Sequence, residues 1–405
     1  MHNVAVHKIT TNPFTFGDLA LDEAFTDRED ELRELAADML NGQNVLVYAP
    51  RRYGKSSLVL RAAQDAIQQK ALVAYCDLMK TPTKERFAAA LAKTIHADIA
   101  SPLDQAFERA AELFRSLRVV PTMEVDPTDG SLRFTFQAGR RKAAIDETIE
   151  RLLELLGDLA ADRRRRVVMI FDEFQEILSL DRSFPNLMRA VFQAQPEVSH
   201  VYLGSKRHLL DRIFDDRNEP FWRSAKQLEI GTIAPPKFAT FIRERFIASG
   251  KTIADDALER LLEASGGHPY GTQELAYFTW ELVAVGATAS LEAVDDALGR
   301  VLRSERNHFA QLWDDAPHPQ RLLVLALADE PTGSVYAVEY HSRHELPPNP
   351  TLQTALAGLM KKEIVGRTDG GEYSVIEPFF GEWVRREQRD YTVVAALRTE
   401  VEATA

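Results

Sequence analysis

Short apolar runs alternate with amphipathic stretches through the first half of the chain. Residues 45–48, Val-Leu-Val-Tyr between Asn44 and Pro50, predict a buried strand, and 56–69 a helix after it. Residues 71–76 predict a second strand, 87–99 a second helix, 167–171 the most continuous apolar strand, and 201–203 another. Strands alternating with helices at this spacing imply a parallel sheet with helices on both faces. Near the N-terminus, residues 25–31 open a helix with Asp27 as its N-cap.

Residues of about 101–160 interrupt the rhythm. Pro121, Pro127, the turn Asp129-Gly130 and the alternating Leu132, Phe134 and Phe136 predict a small hairpin between helices over 106–117 and 144–159. This insertion is either a partner-facing device or a family decoration. Arg163 to Arg166 read as a solvated helix-to-strand connection.

From Pro235-Pro236 the pattern turns helical, with segments at 237–249, 255–264, 270–285 and 291–309. After Pro317 and Pro319 come helices over 320–328 and 351–361, then strands at 364–367 and 373–376 joined by Asp369-Gly370-Gly371. Helices followed by a two-stranded wing describe a winged helix-turn-helix. The expected architecture is an α/β core over residues 1–234, a parallel sheet with helices on both faces, then a helical lid over 235–308, and a winged helix-turn-helix with its tail over 309–405.

Composition adds bounds. A length of 405 residues exceeds one ordinary core, and 45% hydrophobic with 27% charged residues is the balance of a soluble globular chain. No apolar run has the length of a membrane span, and the N-terminus lacks the basic-then-apolar pattern of a signal peptide. The single cysteine, Cys76, cannot form an internal disulfide and reads as a buried strand residue, which fits a cytoplasmic setting. A formal net charge of −12 argues against a broad grip on nucleic acid.

The chemistry concentrates in two segments. Ala49-Pro50-Arg51-Arg52-Tyr53-Gly54-Lys55-Ser56-Ser57 lies between a strand and a helix, the context a phosphate-binding loop requires. Backbone N–H groups at the helix start face phosphate, Gly54 admits close backbone approach, Lys55 neutralises β/γ oxygens and Ser56 ligates Mg²⁺. Ala49 stands where the usual motif has its first glycine. The second segment ends an apolar strand in Asp172-Glu173, with Asp172 expected to hold Mg²⁺ and Glu173 to polarise the attacking water. Ser205, after the next strand, is placed to bond the γ-phosphate or the water. Arg207 and Arg223 are candidates to stabilise transition-state charge, in cis or across a subunit contact. His268, in the turn Gly266-Gly267-His268-Pro269-Tyr270, reads as structural, and no His/Cys cluster has zinc spacing.

Together these segments resemble the archaeal-type ATPase family of AAA+/STAND P-loop NTPases, related to origin-recognition ATPases. The resemblance runs from residue 12 to 386 through NPFTFG, FTDREDEL, APRRYGKSSLV, VVMIFDEFQEI, LGSKRH, SGGHPY and EYSVIEPFFGEWVRR. It implies that Phe25 and Arg28 lie by adenine and that Pro269 packs on base or ribose; the family's glycine before Arg28 is Asp27 here. It also implies an ATP- and Mg²⁺-dependent switch of signalling or defence type, slow unless a partner stimulates it. A protein partner or self-association is then expected. The rival is a DNA-handling ATPase. Across 351–373, Lys361, Lys362 and Arg367 are matched by Glu363, Asp369 and Glu372, a neutral reading head that disfavours DNA. On the same reading Leu352, Leu356, Leu359 and Met360 fill the core, and Phe379, Phe380 and Trp383 serve core or inter-domain packing.

Overall fold

The computed structural model describes residues 11–21, 25–95, 97 and 145–368, with 370–388, and the backbone alone of 121–125, 132–136 and 142–144. The chain forms two compact bodies. One comprises Arg28–Arg51 and Lys55–Ile230; the other comprises Met1–Asp27, Arg52–Gly54 and Gly231–Ala405.

The first body is built on strands β1 (Val45–Tyr48), β2 (Leu72–Asp77), β5 (Val167–Asp172), β6 (Val198–Gly204) and β7 (Lys226–Glu229). Strands β3 (Pro121–Val125) and β4 (Leu132–Phe136) pair antiparallel as the expected hairpin. The turn Asp129-Gly130 and the helix expected over 106–117 lie outside the described residues. The five-stranded sheet has the order β2-β5-β6-β1-β7, and every neighbouring pair is parallel. Every residue of β5 and β6 is buried, so β5 reads as a continuous apolar run, while β6 also buries Ser199 and His200, which bond to the Gln43 carbonyl and to Asn44. Helices Glu29–Asn41, Lys55–Gln68, Lys84–Thr94, Lys142–Arg163 and Phe184–Gln193 accompany the sheet.

Four local outcomes differ from expectation. Asp27 does not cap the first helix: Arg28 holds the N-cap position with φ 73°, and the Asp27 carboxylate pairs with Lys237 at 3.3 Å. The Lys84–Thr94 helix starts three residues early because the Thr83 hydroxyl accepts from the Arg86 N–H at 3.3 Å. β7 was not expected, since Lys-Gln-Leu-Glu has no apolar run; it joins the sheet through backbone pairing with β1 at an exposed edge. The arginine run is less solvated than predicted: Arg166 donates to the Leu40 and Pro196 carbonyls, at 3.0 and 2.7 Å, and Arg165 to the Lys70 carbonyl.

The second body contains helices Pro235–Ala248, Asp255–Ser265, Pro269–Glu281 and Leu291–Asp314. It continues through His318–Asp329, Val338–Arg343, Asn349–Lys361, an antiparallel pair Val365–Arg367 with Tyr373–Val375, and helix Pro378–Glu387. One hydrophobic core runs through all of it, from Phe238 and Leu258 to Leu352, Phe379 and Trp383. The first proline of Pro235-Pro236 starts its helix, where a missing N–H costs nothing. Helix Val338–Arg343 had no counterpart in the sequence reading. Phe379, Phe380, Trp383, Leu352, Leu356 and Leu359 are buried as expected, whereas Met360 is 42% exposed because it falls on the outer face of its helix. Phe14 of the NPFTFG segment is buried against Phe241 and Phe246, and Asn12 donates to the Tyr277 carbonyl.

Candidate active site

The carboxyl ends of β1, β5 and β6 lead directly into the phosphate loop, Glu173 and Ser205, the edge at which open α/β sheets bind ligands. The helix after the loop begins at Lys55. Gly54 has φ +84°, and a Cβ there would meet nothing within 4 Å, so glycine is required by the backbone conformation. Lys55 is buried, and its ammonium donates to the Ala49 and Pro50 carbonyls at 3.2 and 3.4 Å. Ser57 is buried in the same helix.

Asp172 accepts on both oxygens. Oδ2 accepts from the Ser56 hydroxyl at 3.1 Å and from the Tyr75 hydroxyl; Oδ1 accepts from the Glu173 N–H at 2.8 Å. Glu173 follows the strand in the left-handed region, at φ 51°. Glu173 Oε2 accepts from the Ser205 hydroxyl at 3.2 Å and from the Gln175 amide. Gln175 lies 1% exposed against Gly204, where a Cβ would come within 2.5 Å of its Oε1; glycine at that strand end makes room for the amide. Lys55, Ser56, Asp172, Glu173 and Ser205 are thus assembled in one body from three strand ends.

Tyr75 and Gln175 were missed. Gln175 carried a faint signal, two residues beyond Glu173. Tyr75 carried none, because only the β2–β5 register, with Asp77 opposite Asp172, brings its ring to this edge. Burial, and then the hydrogen bond to Asp172, push the Tyr75 phenol far above its ordinary value, so it stays protonated and donates.

The other expected residues stand apart in their contacts. Arg207 pairs with Glu229 at 2.7 Å and lies over the Tyr48 ring; the Tyr48 hydroxyl donates to the same Glu229 at 2.8 Å. Burial, then that hydrogen bond, raise Tyr48 to about 12. Arg223 lies over Trp222, with φ 51°. Arg28 is buried and pairs with Glu31 at 3.2 Å, Phe25 is half-buried, and Arg51 is exposed. Within the second body, Arg52 lies 4.4 Å from the Tyr270 ring centroid and 3.9 Å from Glu377. There Tyr53 packs edge-on against His268, and Pro269 starts a helix that His268 caps through its Nδ1, accepting from the Gly271 N–H at 3.0 Å. Burial, then Arg52, lower His268 to about 3, so the ring is neutral and structural.

The donor set suits a hard cation. A hydroxyl and a carboxylate oxygen 3.1 Å apart are the ligand types Mg²⁺ takes when substrate phosphates and water complete its shell. Among the described residues no cluster of three or more His, Cys, Asp or Glu side chains offers a protein-only cage.

A family model described as an ATPase domain predominantly from Archaea matches residues 25–275, and one described as "Probable winged helix domain" matches residues 307–386. The fold is similar to that of the Walker-type ATPase PABY2304 of Pyrococcus abyssi, with a TM-score of 0.62, 18% identity, and 90% of this chain and 97% of that one covered. It is also similar to the ORC2 protein of Aeropyrum pernix, solved as ADPNP-ADP complexes, with a TM-score of 0.53, 12% identity, and 95% and 98% covered. No curated protein matches. Identities this low speak for the fold, while the family model spans more than half of the chain. The chain belongs to the family of ATPase domains predominantly from Archaea, and a winged helix domain follows the ATPase domain.

Proposed function

We propose that the chain binds and hydrolyses ATP at the edge formed by Lys55, Ser56, Asp172, Glu173 and Ser205. The observation that carries this reading is the Ser56–Asp172 contact, which joins the phosphate loop to the acidic strand end. Lys55 leaves its loop carbonyls to neutralise the β- and γ-phosphates, and the loop N–H groups line the β-phosphate. Ser56 and Asp172 would hold Mg²⁺, which would supply charge neutralisation on the phosphates. Glu173 orients and polarises the attacking water, and Ser205 holds the Glu173 carboxylate or the γ-phosphate.

The finer reading is a molecular switch in which nucleotide state sets the arrangement of lid and winged helix and so the engagement of a protein partner. Its support is that Arg52–Gly54 of the phosphate loop belong to the same body as those helices, where Arg52 meets Tyr270 and Glu377.

Lys55→Ala should abolish ATP binding by calorimetry, while Glu173→Gln should bind ATP normally and lose at least about 10²-fold in turnover. Equal ATP affinity in wild type and Lys55→Ala would overturn the site.

A further inference from the structure

Asp172 Oδ2 accepts two hydroxyl donors, Ser56 from the nucleotide side and Tyr75 from β2. Oδ1 is fixed by the Glu173 N–H. These three bonds define the plane and tilt of the carboxylate. Only the Tyr75 bond comes from a residue outside both motifs.

Tyr75 is itself held in place. On β2 the side chains alternate, Leu72, Ala74 and Cys76 buried and Val73, Tyr75 and Asp77 half-buried, so Tyr75 shares a face with Asp77. The Thr94 hydroxyl donates to its backbone carbonyl at 3.1 Å, and its register partner across the sheet is Ile170, two residues before Asp172. A phenol has a single rotatable proton and a rigid ring, so it delivers its donor to a fixed point at small entropic cost. Groups that hydrogen-bond a ligating carboxylate set its orientation and are worth about 10–100-fold in metal affinity or activity.

We propose that Tyr75 is a positioning residue for the metal-holding carboxylate: its hydroxyl orients Asp172 so that divalent-cation binding couples to nucleotide binding. The inference rests on the ATP site proposed above and assigns Tyr75 no contact with nucleotide.

The test titrates Mg²⁺ from an EDTA baseline into protein with a fluorescent ADP analogue, following anisotropy in wild type, Tyr75→Phe and Asp172→Asn. In wild type Mg²⁺ tightens nucleotide binding. Tyr75→Phe should match wild-type affinity in EDTA, which shows an intact phosphate loop, and need about tenfold more Mg²⁺ for the half-maximal effect. Asp172→Asn should need at least as much. An unchanged Mg²⁺ midpoint in Tyr75→Phe, with a shifted one in Asp172→Asn, overturns the role of Tyr75 and leaves the site standing. No Mg²⁺ effect in wild type overturns the site and Tyr75 together. A second measurement is independent of any loss of folding in Tyr75→Phe. In it, 3-fluorotyrosine is placed at position 75 alone, and its ¹⁹F resonance should move when Mg²⁺ is added to the nucleotide complex. A resonance that stays still in a protein that binds Mg-nucleotide also overturns the proposal.

Discussion

The hydroxyl of Ser56 and the carboxylate of Asp172 lie 3.1 Å apart, although 116 positions separate them along the chain. The parallel sheet closes that distance. β1 and β5 both end at the same edge, flanking β6, and Ser56 opens the helix that follows β1. The ATP site proposed for the first body rests on this convergence.

Gln175 and Ser205 both donate to Glu173 Oε2, so each should matter for turnover more than for binding. Gln175→Ala and Ser205→Ala should keep ATP affinity within about twofold and slow single-turnover hydrolysis roughly 10- to 100-fold, since misplacing a catalytic group by about 1 Å costs on this scale. Rapid-quench assays beside calorimetry separate the two quantities. A Gln175→Ala protein that hydrolyses ATP at the wild-type rate would show that the amide does not hold the carboxylate in the working complex.

The second body should lose stability as pH rises. Glu274 is raised to about 8 by burial, then by Glu305 and Glu377, against a lowering from Arg52. Glu377 is raised to about 7 by burial, with Arg52 lowering and Glu305 raising it. The folded protein therefore holds more protons than the unfolded chain between the ordinary value of 4.5 and about 8. Stability from these groups is complete below that window and is lost as pH climbs through it. Thermal midpoints should fall from about pH 5 to about pH 8, and Glu274→Gln should flatten the fall. At 2–4 °C per kcal/mol the difference at pH 8 is of order several degrees. Parallel curves for the two proteins would show that Glu274 is ionised throughout.

The two arginine candidates should separate. Arg207 is committed to Glu229 and Tyr48, whereas Arg223 lies over the exposed Trp222. We expect specific ATPase activity to rise with protein concentration, as Arg223 of one copy completes the site of another. Arg223→Ala should remove the rise, lowering the stimulated rate by up to about 10³-fold, and Arg207→Ala should retain it. Activity that is flat with concentration, in a protein that stays monomeric with ATP, would rule out a finger in trans.

The winged helix should engage protein and not DNA. Helix Asn349–Lys361 buries Leu352, Ala355, Leu356 and Leu359, leaving Gln353, Thr354, Met360 and Lys361 outward. Lys362 donates to the Asp315 carbonyl and to Gln320, and Arg367 to the Tyr373 hydroxyl. So little positive charge gives weak phosphate binding. Fluorescence anisotropy with duplex and single-stranded DNA near physiological salt, with and without ATP, should show no sub-micromolar binding. Tight binding that falls steeply with salt and vanishes when Lys361, Lys362 and Arg367 become alanine would instead favour DNA handling.

The sequence by itself determined the apolar strands β1 and β5 with the glycine-lysine-serine loop and the acidic pair that follow them, because strands buried on both faces are apolar throughout and phosphate chemistry restricts its residue types. It also pointed to burial of Cys76, Phe379, Phe380 and Trp383, which are all buried. Tertiary structure alone decided the rest. β7 exists because β1 had an unpaired edge, a backbone demand that its polar side chains do not announce. Tyr75 reaches Asp172 through register between strands, which one chain's local pattern does not encode. Met360 faces outward because a helix turns by about 100° per residue, and only the packing of its neighbours chooses which side is core. Local pattern fixes what a segment can become, and the partners it meets across the fold fix which of its side chains do chemistry.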